Sequence, residues 1–245
     1  MGWLISNFES GDCKVYIDVS IIDPAFEAFI DNYIVDICFM DNSFSINKAK
    51  KYIRNFIDTK DPDREKGVVA EFFLHLYLNS IEMEQECLFK NLEENSPKKG
   101  FDGVYKDSNG NVWFIESKSG VAESCSHKGK VQEAYRDLKD KFSSTTKNDP
   151  WLNAYNHLRI INPSDSLLDK FRSLSDEYDS GKVIDIKEYN IGPCGTVYDE
   201  SGTTYDAVSL SDSVIKYFTG KEFNKLFSIC VTQRAIKEFE KYLGK

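Results

Sequence analysis

Gly100-Phe101-Asp102-Gly103-Val104-Tyr105, Asp107-Ser108-Asn109-Gly110-Asn111 and Val112-Trp113-Phe114-Ile115-Glu116-Ser117-Lys118 read together as two strands around a tight turn. Alternate residues of a strand share a face. Val112, Phe114, Glu116 and Lys118 therefore point one way, and Trp113, Ile115 and Ser117 the other. A sheet has no structural need for two neighbouring charges at the end of so apolar a strand. The turn decides what lies across from them. A two-residue Asn109-Gly110 turn sets Asp102 opposite Ser117, whereas a three-residue Ser108-Asn109-Gly110 loop sets it opposite Glu116. Glycine at the third loop position suits the second turn, a type I turn with a bulge. A slip of one residue would move every side chain to the other face. The three-residue loop is the expectation.

Outward from this hairpin, strands and helices interleave. Lys14 to Ile22 alternates as a strand, with Val15, Ile17 and Val19 on one face. Asp23-Pro24 opens a helix over Ala25 to Tyr33, the apolar stretch Ile34 to Met40 follows, and a second helix lies near Ile46 to Ile57. The polar run Asp58 to Lys66 suggests a boundary between a small N-terminal module (1–60) and the remainder (61–245). Val68 to Ser80 reads as a buried helix, Lys130 to Ser143 as an amphipathic one, and Ser144 to Asp149 as a linker. Further strands are expected at Leu158 to Ile161, Val183 to Tyr189, Gly192 to Tyr198 and Phe227 to Val231, with helices at Leu167 to Tyr178 and Gln233 to Leu243. The order implies an α/β (α+β) fold, a mixed central sheet flanked by helices.

Composition narrows the functional classes. The 245 residues are 41% hydrophobic and 13% aromatic, enough for a packed core. No apolar run has the length of a membrane span, and the start Met1-Gly2-Trp3-Leu4 has no basic-then-apolar leader, so no signal peptide is expected. Six scattered cysteines without a CxxC pair read as reduced thiols of a cytoplasmic protein. The three histidines lie at no zinc-site spacing. A net charge of −9 argues against a broad basic surface that grips long nucleic acid unaided.

Two carboxylates and a lysine at one strand end have a specific chemical use. Asp102 and Glu116 are hard oxygen donors suited to Mg²⁺ or Mn²⁺. Such a metal lowers the pKa of bound water and offsets charge on a phosphate in transition. Lys118 would orient that water or stabilise the developing charge.

Asp102 followed by Glu116-Ser117-Lys118 resembles the D…(D/E)XK signature of the PD-(D/E)XK nuclease superfamily, with Phe101 where a proline is usual. The resemblance implies a nuclease-like core and an acidic residue on a preceding helix. Glu71 in Val69-Ala70-Glu71-Phe72-Phe73-Leu74 fits, giving Glu71, Asp102 and Glu116 as metal ligands and Lys118 as their catalytic partner. More narrowly, the Glu71 helix with Leu74-His75-Leu76, Lys99-Gly100-Phe101-Asp102, Trp113 to Lys118 and Ile191-Gly192-Pro193 are similar to the HamA family, nuclease subunits of the Hachiman anti-phage system. That resemblance runs from about Gly67 to the C-terminus. It implies defence against phage with a helicase subunit, HamB-like, as partner, and the leading reading is a metal-dependent nuclease with DNA as substrate.

Lys128, Lys130 and Gln132 are candidates for nucleic-acid contact, with Tyr135 completing a motif one residue shorter than the QxxxY element of RecB-like nucleases. His75 is expected as a hydrogen-bonded core histidine, and Trp151, Tyr155, His157, Phe239 and Tyr242 as packing residues. The rivals are a restriction- or repair-type endonuclease of the same superfamily and a non-catalytic, partner-binding scaffold.

Overall fold

The computed structural model describes residues 3–8, 13–89, 100–143, 149–161 and 165–244. Lys98, Lys99 and most of the expected linker over Ser144 to Asp149 lie outside them. Strands β1 (Trp3–Phe8) and β2 (Cys13–Val19) precede three helices, α1 (Pro24–Phe39), α2 (Ile46–Asp58) and α3 (Pro62–Ser80). Then come β3 (Glu84–Gln85), β4 (Gly103–Lys106) and β5 (Val112–Val121), and the helices α4 (His127–Phe142), α5 (Pro150–Ile161) and α6 (Asp165–Asp179). The chain closes with β6 (Asn190–Tyr198), α7 (Ala207–Phe218), β7 (Lys225–Gln233) and α8 (Ile236–Tyr242).

These strands form one mixed sheet in the order β1-β2-β7-β6-β5-β4-β3. The four central strands, β2, β7, β6 and β5, run parallel, and β1, β4 and β3 each pair antiparallel to a neighbour. A parallel centre requires cover on both faces, and the strand alternation supplies it. Val15, Ile17, Ile115, Phe227 and Ile229 face a core shared with α1, α2, α3 and α8. Tyr16, Phe114, Ile191, Leu226 and Cys230 face the opposite core, shared with α4, α5, α6 and α7. The expected α/β architecture of a mixed sheet flanked by helices is therefore present.

Local chemistry explains the helix starts. Asp23, Ser45 and Asp61 each cap a helix by accepting a hydrogen bond from a backbone N–H three residues on, and Pro24 and Pro62 occupy first-turn positions where no donor is lost. The division expected near residue 60 does not coincide with a break in packing. β2 pairs along its whole length with β7, and one core joins Ile17, Ile34 and Ile53 to Phe73 and Phe239. Two strand expectations are corrected. Leu158 to Ile161 ends α5, where Trp151, Ala154 and Leu158 recur at helical spacing and Asp149 accepts from the N–H groups of Trp151 and Leu152. Val183 to Tyr189 is an extended connection with a 3₁₀ turn at Ile186–Glu188, started by the Asp185 side chain. Among the described residues, no helix is long and apolar enough to cross a membrane.

Candidate active site

The hairpin fixes the register on which the site depends. β4 and β5 pair Gly103 with Ile115, Val104 with Phe114, Tyr105 with Trp113 and Lys106 with Val112. One further step sets Asp102 across from Glu116, as the three-residue loop requires. Gly110, at φ 77°, donates its N–H to the Asp107 carbonyl at 2.8 Å, and the Asp107 N–H bonds the Asn111 carbonyl at 3.0 Å. The Asp107 carboxylate accepts from the backbone N–H groups of Asn109 and Asn111, the Asn111 amide and the Trp113 indole. Burial pushes the Asp107 pKa up, but these donors outweigh it and hold the carboxyl below its usual range. At the other end, Gly100 has φ 80°, and a side chain there would meet the Pro150 carbonyl at 2.2 Å. That close approach seats the segment leading into Asp102 against the start of α5.

Charge then accumulates on one face of β5. Glu116 is 2% exposed. Its Oε1 accepts a hydrogen bond from Lys118 Nζ at 3.0 Å, and its Oε2 accepts one from Lys141 Nζ of α4. Lys118 also bridges to Asp137 of α4 at 2.5 Å. Asp102 accepts from the Ser117 N–H through Oδ2 at 2.8 Å, which pins its carboxylate beside the same strand. Burial raises the Glu116 pKa, the Asp102 charge adds to the rise, and Lys141 and Lys118 oppose it. For Lys118 burial favours the neutral amine, but Glu116 and Asp102 prevail and hold the pKa above the ordinary lysine range. Helix and strand spacings make this pairing possible. Two strand residues advance about 6.7 Å and four helical residues about 6 Å, so Glu116 and Lys118 meet Lys141 and Asp137 in turn.

Asp102, Glu116 and Lys118 are thus brought together. Glu71 is half-buried on α3, whose apolar side packs against the face bearing Trp113 and Ile115, opposite the face of Glu116. Lys130 lies over Gly120, two residues past Lys118 on the same strand, and is ion-paired with Glu133 at 2.9 Å. Lys128 and Gln132 are half-buried near the start of α4. Tyr135 belongs to the core, its hydroxyl bonded to the Glu222 backbone, so the motif read with Gln132 has no tyrosine free for the site. His75 is a core histidine bonded to the Tyr105 hydroxyl, as expected. Trp151 packs among Phe101, Phe114, Phe142 and Phe171, and Phe239 and Tyr242 are core residues. Sequence reading missed Lys141 and Asp137. The available signal was their spacing of four on an amphipathic helix directly after the hairpin.

The donor chemistry suits a divalent cation held by few protein ligands. Mg²⁺ takes one or two carboxylates and completes its shell with water and substrate oxygens, and buried Glu116 already draws two ammonium groups to itself. Among the described residues, no group of three or more His, Cys, Asp or Glu side chains stands ready to hold a metal ion.

Fold and site together define a three-layer α/β protein with a buried carboxylate–lysine cluster where a β-hairpin meets its following helix. A family model described as HamA matches residues 9–242. The chain belongs to the HamA family, of the Hachiman anti-phage defence system. No curated protein and no solved structure matches it.

Proposed function

We propose that the chain is a metal-dependent nuclease that hydrolyses phosphodiester bonds of DNA, acting as the effector subunit of an anti-phage complex with a helicase partner. One observation carries this reading: Glu116 and Lys118 emerge on one face of β5 in direct contact, with Asp102 across the hairpin and fixed by the Ser117 N–H. A Mg²⁺ or Mn²⁺ ion held by Asp102 and Glu116 would supply a water of lowered pKa and offset charge on the phosphate.

The chain's own residues account for the rest. The Ser117 N–H orients Asp102 without consuming its second oxygen. Lys118, kept protonated by Glu116 and Asp102, acts as a cation on the phosphate and not as a base. The HamA family membership supports the defence context and a complex partner. The net charge of −9 also favours a partner that brings the substrate. The deciding experiment is cleavage of DNA by the chain with its partner in Mg²⁺ or Mn²⁺, against Asp102→Asn and against excess chelator. Cleavage that survives both would overturn the mechanism.

A second reading, a non-catalytic scaffold, draws on the mutual neutralisation of Glu116 by Lys118 and Lys141. Stoichiometric Mn²⁺ binding lost in Asp102→Asn would exclude it.

A further inference from the structure

Both oxygens of Glu116 are occupied by ammonium groups, Oε1 by Lys118 and Oε2 by Lys141. The two lysines are held differently. Lys118 is anchored on two sides, by Glu116 and by Asp137, within the strand that carries the site. Lys141 comes from the last turn of α4, reaches in beside the Phe101 ring at 5.3 Å, and has Glu116 as its described ion-pair partner. Its side chain is 14% exposed, so the flexible stem has a path outward. A cation at the C-terminal turn of a helix also retains the favourable end of the helix dipole when it leaves a carboxylate.

We propose that Lys141 is a functional residue of this site: its ammonium is an internal cation that occupies Glu116 and must be displaced before a divalent metal ion binds there. The inference rests on the metal-dependent reading above. In this arrangement buried Glu116 is neutralised by the chain itself. Metal uptake then exchanges one cation for another, which leaves Lys141 free to meet the incoming phosphate. A purely structural role for Lys141 makes the opposite prediction, because removing the counter-charge of a buried carboxylate would then loosen the site.

Titration of the purified full-length chain with Mn²⁺, read by electron paramagnetic resonance of free ion, separates the two. Lys141→Gln keeps the size and a hydrogen-bond donor without the charge, and should bind Mn²⁺ at least about tenfold more tightly than wild type. Lys141→Arg, which keeps the charge, should bind as weakly as wild type. Should Lys141→Gln fail to fold, Lys141→Met replaces it with the same expected direction. Unchanged or weaker binding by the neutral variants, with wild type still binding, would overturn this proposal alone. Absence of Mn²⁺ binding from both wild type and the neutral variants would overturn the metal-dependent reading with it.

Discussion

A buried carboxylate is costly unless opposite charge meets it, and breaking such a pair leaves an uncompensated charge. Glu116 at 2% exposure is met by Lys118 and Lys141, and the Asp102 carboxylate adds repulsion. That repulsion sits at the end of an apolar strand, where the two ammonium groups offset it. Asp102→Ala, Glu116→Ala and Lys118→Ala should each lower cleavage by at least about 10²-fold, the scale seen when one preorganised charge-stabilising group is lost. Circular dichroism should show each variant folded, and full activity in folded Lys118→Ala would sink the mechanism. Gly100 makes a different prediction. Its positive φ and the nearby Pro150 carbonyl leave no room for a side chain. Gly100→Ala should cost more than about 2 kcal/mol in a urea melt, from left-handed strain plus the clash. An unchanged midpoint would show that the segment relaxes without strain.

At the scale of elements, the β4–β5 turn and helix α4 do the positioning. The Asp107 carboxylate holds the three-residue loop through the backbone N–H groups of Asn109 and Asn111 and ties the loop to Trp113. Asp107→Ala should therefore cost about 1–3 kcal/mol in stability. It should also reduce cleavage more than that loss explains, because a slipped register carries Asp102 from Glu116 to Ser117. Cleavage per folded molecule equal to wild type would show that the loop does not hold the register. Tyr135 belongs to the same helix but to the core. Tyr135→Phe should lose about 1 kcal/mol with its hydrogen bond to the Glu222 backbone and leave cleavage by the folded protein unchanged.

For the whole molecule, one buried group links stability to pH. His127 is 1% exposed at the start of α4, and its Nε2 meets the Thr232 hydroxyl at 2.9 Å. Burial depresses its pKa from 6.5 to about 4. The unfolded chain therefore binds more protons between about pH 4 and 6.5, so stability is full above that window and falls as pH drops through it. The loss should approach about 3 kcal/mol at the lower end. Urea midpoints measured across the window should slope for wild type and flatten for His127→Gln, and parallel slopes would refute the assignment. Charge acts at the same scale. With a net charge of −9, the isolated chain should bind DNA weakly at physiological salt and gain from its partner. Tight binding and full turnover by the chain alone would contradict that.

The sequence by itself determined the hairpin, because alternation along an apolar strand and the turn residues mark two strands. Glycine at the third loop position favours the one of two registers that gathers Asp102, Glu116 and Lys118, and the strand pairing fixes it. The sequence determined the long helices and the buried β2 and β7 in the same way, through periodicities of 3.6 and 2. Short apolar runs carry too few positions to separate those periods, and so Leu158 to Ile161 and Val183 to Tyr189 were misread as strands. Only the tertiary structure decided which charges answer Glu116. Lys141 lies 25 residues away and Asp137 on the same helix, and both reach the site because α4 packs over β5. It also set the helix of Glu71 against the opposite face of the sheet and drew β2 into the parallel centre beside β7. Local spacing specifies which side chains share a face, whereas the identity of the facing element follows from how the layers pack.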